Sequence, residues 1–291
     1  MIRSCPNSQC SPSQKSQSII GDGFYFRQSD SRKIQRFRCT SCGKRFSSAT
    51  SSLAYNQKKR RINHPLFKLL ASGVSMRRCS LILKVHRTTV KRKLLFLAEK
   101  SRSSHQQFLN KLKSEKVLEL QFDDLITSQH TKLKPLSVSA AVDASRRYIL
   151  GAEVSMIPAF GHLANLSRKK YGRRQNLHRQ GLARLFESVK DCVDDCALIK
   201  SDEHTSYPEF VSKFFPHSNY IRHKGGRACI VGQGEIKKLN HDPLFAINHT
   251  LAMMRANVNR LFRRTWCTTK DPHMLKNHLD IYISFHNLYL V

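Results

Sequence analysis

The chain has 291 residues, with 51 Lys and Arg against 20 Asp and Glu, so its formal net charge is +31. This length suffices for one large domain or for two to three smaller ones. The charge far exceeds what solubility requires and favours a polyanion as the partner. The sequence has no apolar run of about 18 residues and no signal-peptide pattern, so we expect a cytoplasmic protein with no membrane partner.

Four of the nine cysteines lie near the start of the chain, in a Cx4C pair (CPNSQC) and a CxxC pair (CTSC). The segments GFYFRQ and IQRFRC between them alternate like short strands. Two such pairs on a hairpin can place four thiolates around one tetrahedral zinc ion. We therefore predict a zinc ribbon with a structural zinc over residues 1–52, the alternative being four unrelated reduced cysteines. The predicted ligands are Cys5, Cys10, Cys39 and Cys42.

Residues 62–102 show helical spacing of apolar residues, with a break at Gly73, a cap at Ser75 and a turn near His86. The last helix is predicted to end near Glu99. Because few acids accompany many cations here, the pattern favours a helix-turn-helix that binds double-stranded DNA over a helical bundle with a solvated face. The predicted buried face consists of Leu66, Leu69, Leu70, Ile82, Val90, Leu94 and Leu97. The predicted DNA-binding face consists of Arg87, Thr88, Thr89, Lys91, Arg92 and Lys93.

From residue 115 to residue 291 the pattern changes to strands followed by alternating helices and strands, in the order βββ-α-β-α-β-α. KVLELQFDDLIT and LSVSAAVDASRRYILGAEVSMI indicate an antiparallel meander, and CALIKSD and NYIRH indicate later strands. The segment SRKKYGRRQ is predicted to be a basic loop that contacts phosphate. The order predicts an α/β domain with a mixed sheet.

Two acids on this predicted sheet are candidate metal ligands. Asp123, or its neighbour Asp124, lies on the first strand of the domain, and Asp202 lies at the tip of the fourth. Period-two alternation favours Asp123, because it shares a face with the polar Glu119 and Gln121. Two carboxylates that meet at the edge of a sheet can bridge divalent cations for attack on a phosphodiester. The alternative is that these acids only cap the turns that follow their strands.

Motifs of known type span nearly the whole chain: CTSCGKRFS, SGVSMRRCSLILKVHRTTVKRKL, QFDD, IKSDEHTSY, INHTLAMMRANVNRLFRRTWCTTK and HLDIYISFHN. In these motifs the chain resembles the bacterial insertion-sequence transposases of the DDE type. It is most similar to the group in which a zinc ribbon and a helix-turn-helix precede a ribonuclease-H-like catalytic domain. The resemblance implies an enzyme that cuts and joins DNA with two magnesium or manganese ions. It also implies a homo-oligomer assembled on DNA, at the bacterial nucleoid.

The resemblance further assigns catalytic positions. Asp123 and Asp202 match the first two metal-binding positions, and Asn248 falls on the third, which is usually Glu. The basic position two helical turns later falls on Arg255. On a long helix predicted over residues 245–265, Asn248 and Arg255 share an edge beside an apolar stripe. An Asn carbonyl is a hard-oxygen ligand for magnesium, but it contributes no charge.

The missing acid leaves two interpretations open. In the first, the Asn variant is an active transposase, as in some branches of the resembling group. In the second, the chain is a DNA-binding regulator or an inactive transposase-derived protein with a silent catalytic domain. Glu235 and Asp242 are alternative third ligands if their loop folds back. His204, His241 and His249 lie near the predicted site and are candidates for proton transfer.

Overall fold

The computed structural model describes residues 4–10, 18–224 and 242–291. Glu235 and His241 lie outside the described residues. The chain divides into two compact units, Met1–Pro65 and Leu66–Val291. No helix in the described part of the chain is both long enough and apolar enough to cross a membrane.

The first unit contains a small antiparallel sheet. Its strands are β1 (Ile19–Arg27), β2 (Arg32–Cys39) and β3 (Arg45–Ser47), in that order across the sheet. The alternating residues of the first two strands suit a pleated hairpin. An ion pair of 2.6 Å between Arg27 and Asp30 closes the turn of this hairpin. Because β2 ends at Cys39, the hairpin delivers that cysteine to one end of the sheet.

Three helices follow: α1 (Asn63–Ala71), α2 (Met76–Ile82) and α3 (Arg87–Glu115). The predicted cap of α2 is confirmed, since Ser75 Oγ accepts a hydrogen bond of 3.3 Å from Arg78 N. The prediction that the last helix ends near Glu99 is wrong, because α3 continues to Glu115. The added segment contains no Gly or Pro and buries Leu109, so nothing in it interrupts the helix.

Two predictions about burial in these helices are wrong. Lys93, predicted on the exposed DNA-binding face, is buried with an exposed fraction of 5%. The reason is its position one helical turn from Val90 and Leu97, on the buried stripe of α3. Ile82, predicted in the buried face, is 57% exposed, and Cys79 is the residue by which α2 enters the core.

A five-stranded sheet forms the centre of the second unit. Its strands are β4 (Val117–Ser128), β5 (Pro135–Asp143), β6 (Ile149–Met156), β7 (Val193–Asp202) and β8 (Asn219–His223). They lie in the order β6-β5-β4-β7-β8. The pairs β6–β5 and β5–β4 are antiparallel, whereas β4–β7 and β7–β8 are parallel. The predicted α/β class with a mixed sheet is therefore confirmed.

Helices cover both faces of this sheet. The described helices that follow β6 are α4 (Leu163–Tyr171), α5 (His178–Val189), α6 (Tyr207–Phe214), α7 (Phe245–Asn257) and α8 (Pro272–Tyr289). Helices α5 and α6 share an apolar cluster with Phe122 of β4. Helices α7 and α8 share another with Leu125 of β4 and with buried residues of α1, α2 and α3. The helices predicted as a separate domain over residues 62–102 thus share a core with the sheet.

The helix predicted over residues 245–265 is shorter than expected. It ends at Asn257 and is followed by two short 3-10 turns, Asn259–Leu261 and Thr265–Cys267. Asn259 Nδ2 donates a hydrogen bond of 3.2 Å to Gly73 O, a distant contact that helical periodicity cannot indicate. The basic segment that begins at Ser167 was also predicted incorrectly as a loop, because its first part lies in α4.

Candidate active site and metal centre

The four cysteines predicted as zinc ligands form one cluster. Cys5 Sγ lies 3.6 Å from Cys42 Sγ, and Cys10 Sγ lies 3.9 Å from Cys39 Sγ. All four sulfur atoms lie within 4.8 Å of one another. Four sulfurs bound tetrahedrally at about 2.3 Å from one zinc ion would be about 3.8 Å apart. The cluster can therefore hold a metal ion such as zinc.

The protonation of this cluster also suits a cation. Burial raises the pKa of Cys10 to about 12, so without a bound cation this thiol would stay protonated at neutral pH. The backbone hydrogen bond at Lys44 lowers the pKa of Cys42 to about 6, which favours its thiolate. A bound cation would stabilise the thiolate form of all four cysteines, and the thiolate is the form that ligates metals.

The second unit brings the two predicted acidic ligands side by side. Gln121 of β4 pairs with Lys200 of the parallel strand β7. Asp123 and Asp202 each lie two residues beyond this last pair of the register, and the charge of Asp202 acts on Asp123. On the same face, Glu119 forms an ion pair of 2.8 Å with Lys200. Because residues two apart on a strand share a face, both acids project from one side of the sheet.

Gln121 joins this face to α7. Its Nε2 donates a hydrogen bond of 3.1 Å to Pro243 O, and its Oε1 accepts one of 3.2 Å from Ile247 N. The accepted bond satisfies a backbone N–H in the first turn of α7, which has no partner within the helix. Gln121 thereby fixes the start of α7 two residues along β4 from Asp123.

Asp123 is a half-buried carboxylate with little to stabilise its charge. Its Oδ1 accepts a hydrogen bond of 2.7 Å from Asp124 N. Burial raises the pKa of Asp123 to about 7, the charges of Asp202 and Asp124 act in the same direction, and Arg255 of α7 opposes them. Burial and the charge of Arg263 lower the pKa of Arg255, which Asp123 opposes. A further cation beside the two acids would relieve their repulsion.

Asp124 faces the other side of the sheet, where four side chains donate to it. The donors are His178 Nε2 at 2.5 Å, Ser137 Oγ at 2.7 Å, Tyr207 OH at 2.8 Å and Ser139 Oγ. Burial acts to raise the pKa of Asp124, but the hydrogen bonds from His178 and the serines hold it at about 2. Both carboxylate oxygens are engaged, which favours the neighbouring acid as the metal ligand.

No site role was predicted for His178 or for Tyr207, although Tyr207 ends the motif IKSDEHTSY, and both donate to Asp124 on the side of the sheet opposite Asp123. Asp202 Oδ1 accepts a hydrogen bond of 3.0 Å from His204 N. The ring centre of His204 lies 4.8 Å from that of Tyr207 and 5.2 Å from that of His178. These residues come from α5, α6 and the loop after β7, so no local periodicity links them. His204 therefore contacts Asp202 through its backbone N–H, while its ring lies against the rings of the two residues that donate to Asp124.

Asn248 and Arg255 lie on α7 in different surroundings. Asn248 is exposed, and its Nδ2 donates a hydrogen bond of 2.9 Å to Asp242 Oδ2. Asp242 also accepts a bond of 3.0 Å from Leu244 N, so it caps the start of α7. Within the described segments, no hydrogen bond links Asn248 to either acid of the pair. Arg255 is half-buried and acts on the acidic pair through its charge.

Five of the six residues predicted to bind DNA are accessible at the start of α3, with Lys93 excluded by its burial. Arg87, Thr88, Lys91 and Arg92 are exposed, and Thr89 is half-buried. His86 caps this helix, since its Nδ1 accepts a hydrogen bond of 3.3 Å from Thr88 N. The surface is basic as predicted, and its binding to DNA stays a prediction.

Among residues 4–10, 18–224 and 242–291, the cysteine cluster is the only group of three or more His, Cys, Asp or Glu side chains close enough to share a metal ion. The acidic pair of β4 and β7 supplies two such side chains. No model of a known protein family matches the chain, and no curated protein matches it. Its function is therefore inferred from its own residues and their geometry.

Proposed function

We propose that the protein is a DDE-type transposase that binds the ends of a DNA element and catalyses DNA strand cleavage and strand transfer. The observation that carries this proposal is the acidic pair Asp123 and Asp202 on the sheet face covered by α7, with the charge of Arg255 acting on it. An antiparallel meander followed by parallel strands is the arrangement that a ribonuclease-H-like domain requires, and it supports the proposal.

The acidic pair suits magnesium or manganese by its chemistry. Carboxylate oxygens are the hard ligands that these ions prefer. Asp123 has a raised pKa because of burial, and no cation in the described residues hydrogen-bonds to it. A divalent ion would hold this carboxylate ionised. When bound, such ions activate the attacking oxygen and stabilise the leaving oxygen of a phosphodiester.

Each residue of the site has a proposed role. Asp123 and Asp202 would hold the ions, and Asn248 would contribute a neutral oxygen. Arg255 would pair with a DNA phosphate beside the acids, since a guanidinium matches phosphate geometry. Asp242 is the alternative third ligand, because its carboxylate already lies within hydrogen-bond distance of Asn248.

The proposed roles of α2, α3 and the cysteine cluster fit a protein that binds double-stranded DNA. We propose that α2 and α3 form a helix-turn-helix, with the basic start of α3 placed against the DNA. The cysteine cluster would hold a structural zinc, because four protein ligands leave no open position for chemistry. We further propose that the protein works as a homo-oligomer that pairs two element ends at the bacterial nucleoid.

The proposal is tested by magnesium-dependent cleavage and joining of DNA that carries the inverted repeats flanking the coding region. Asp202→Ala and Asn248→Ala are each expected to abolish joining while duplex binding survives. The matched controls are Asp195→Ala on the same strand and Asn110→Ala on α3, both at exposed positions, which should keep wild-type activity. If Asn248→Ala retains full activity, Asn248 is not the third ligand. If the wild-type protein binds these ends but never cuts them, the enzyme proposal fails.

A specific observation favours a second candidate function, that of a DNA-binding regulator with a silent catalytic domain. Asn248 is neutral and exposed, and it hydrogen-bonds to Asp242 in the described structure rather than to the acidic pair. In that case the wild-type protein and the Asp202→Ala variant would bind the element ends with equal affinity. Neither protein would then cut DNA with magnesium or with manganese.

A further inference from the structure

A basic cavity lies between the α2–α3 region and the segment that follows α7. Its volume is about 760 Å³. The cations that line it are Arg77, Arg78, Arg87, Lys91, Arg260 and Arg264. Two of these lie on α2, two lie at the start of α3, and two lie in the segment after α7. The cavity therefore extends the basic start of α3 toward a second, distant part of the sequence.

The two walls of this cavity are joined by specific contacts. Gly73 has a positive φ of 74°, and a Cβ at this position would lie 2.8 Å from Phe262 Cζ. Asn259 Nδ2 donates a hydrogen bond of 3.2 Å to Gly73 O. The turn between α1 and α2 thus packs directly on the segment after α7, and these contacts fix the cavity between them.

The positive charge of the cavity favours binding of an anion. No Asp or Glu among the described residues lines it, and none of its six cations forms an ion pair within the described parts of the chain. Arg260 is half-buried, and burial lowers its pKa. Like charges gathered in this way repel one another unless an anion lies between them. Phosphate groups are the anions for which guanidinium is best suited.

The exposed indole of Trp266 indicates a second property of the ligand. Trp266 lines the cavity, is 75% exposed, and has the guanidinium of Arg264 at 5.7 Å from its ring centre. Aromatic rings beside cations are the platform on which unpaired bases stack, whereas duplex DNA keeps its bases stacked within the helix. A ligand with both phosphates and a free base matches both features.

We propose that this cavity binds single-stranded DNA, with one unpaired base stacked on Trp266 and the adjoining phosphates on Arg264, Arg260 and Lys91. The choice of DNA over RNA depends on the proposed function, because the start of α3 is the proposed duplex-binding surface and it also lines the cavity. The cavity would then hold an unpaired strand next to a bound duplex.

The test uses the emission of Trp266, which is the only tryptophan in the chain. The full-length protein is titrated with a short oligothymidine, with a duplex of the same length and with an oligouridine. We expect saturable quenching by oligothymidine and little change of emission with the duplex. Unchanged emission despite oligothymidine binding, seen as anisotropy of a labelled strand, would place the site elsewhere. Equal quenching by the duplex, or tighter binding of oligouridine, would overturn the assignment to single-stranded DNA.

Variants are compared by the anisotropy of labelled oligothymidine. Trp266→Ala is expected to weaken binding about tenfold or more, since stacking of one base on an aromatic side chain contributes that much. Trp266→Phe keeps an aromatic ring, so it should weaken oligothymidine binding less than Trp266→Ala does. Lys91→Ala should weaken binding, whereas Lys111→Ala, also exposed on α3 but outside the cavity, should change it less than about twofold. Equal effects of the two lysine variants would contradict the proposal.

This test separates the cavity from the catalytic proposal. Oligothymidine should quench the Trp266 emission of the Asp202→Ala protein as much as that of the wild type, because Asp202 does not line the cavity. A protein that cuts and joins DNA but shows no quenching would overturn the inference and leave the proposed function intact. A protein whose Trp266 emission is quenched by oligothymidine but that never cuts DNA would overturn the proposed function and leave the inference about the cavity intact.

Discussion

Asp123 and Asp124 are adjacent on β4 and lie on opposite faces of the sheet. Asp123 shares its face with Asp202, and burial together with the charge of Asp202 raises the pKa of Asp123. Asp124 is held by four donors on the α5 and α6 side. One carboxylate is therefore available to a ligand, and the other fixes the strand that presents it.

Asp124→Asn is expected to destabilise the second unit by about 3 to 5 kcal/mol, because it leaves His178 without its buried anionic partner. The partner substitution Asp123→Asn should change the free energy of unfolding by about 1 kcal/mol or less, since it removes a poorly stabilised charge. Urea unfolding followed by circular dichroism measures both values. Similar losses for the two variants would show that Asp124 has no special structural role.

Alternation along β4 was sufficient to favour Asp123 over Asp124 as a metal ligand, and the saturated surroundings of Asp124 favour the same choice. Two of the four donors to Asp124, those that come from helices, could not be predicted. Tyr207 and His178 lie far from it in sequence and come from different helices. Only the packing of α5 and α6 on the sheet brings them to β4.

At the scale of elements, the turn at Gly73 links the helices before the sheet to the segment after α7. Gly73→Ala is expected to destabilise by about 2 to 4 kcal/mol, because it adds a left-handed backbone penalty to a clash with Phe262. Gly161 also has a positive φ but nothing within 4 Å of an added Cβ. Gly161→Ala should therefore destabilise by only about 1 to 2 kcal/mol. Equal values for the two variants in urea unfolding would argue against the Phe262 contact.

Helix ends and helix faces were only partly predictable. The segment after Glu99 is polar with few apolar residues, so its periodicity is weak, although α3 continues through it. Lys93 was misplaced because its charge was given more weight than its position between Val90 and Leu97 on the buried stripe. The end of α7 depends on contacts with Gly73, which lies 186 residues from Asn259. No local pattern contains that information.

At the scale of the whole molecule, the chain has two compact units, and the cysteine cluster belongs to the first. Cys39→Ser is expected to abolish stoichiometric zinc binding, because one thiolate of a filled tetrahedral site is lost. Cys79→Ser removes an equally buried thiol outside the cluster and should retain zinc. Atomic emission of the purified proteins measures the zinc content of each chain. Full zinc content in the Cys39→Ser protein would show that the cluster is not the zinc site.

The paired cysteines and the order of strands were predictable because each depends on short-range spacing. The prediction that Asp123 and Asp202 lie near each other rests on the same kind of reasoning, since neighbouring parallel strands align the acids that they carry. The surroundings of Asn248 were not predictable, because its hydrogen-bond partner Asp242 lies before the first residue of α7, where helical periodicity does not place it.

The central claim is that Asp202 binds the metal ion that DNA joining requires. Its most direct test is the Asp202→Cys protein, assayed for joining with magnesium and with manganese. A thiolate is a poor ligand for magnesium and a better one for a softer transition-metal ion. We expect the wild type to join DNA with either ion, and the Asp202→Cys protein to be inactive with magnesium and partly active with manganese. The same yield of joined DNA from the variant with both ions would contradict the claim.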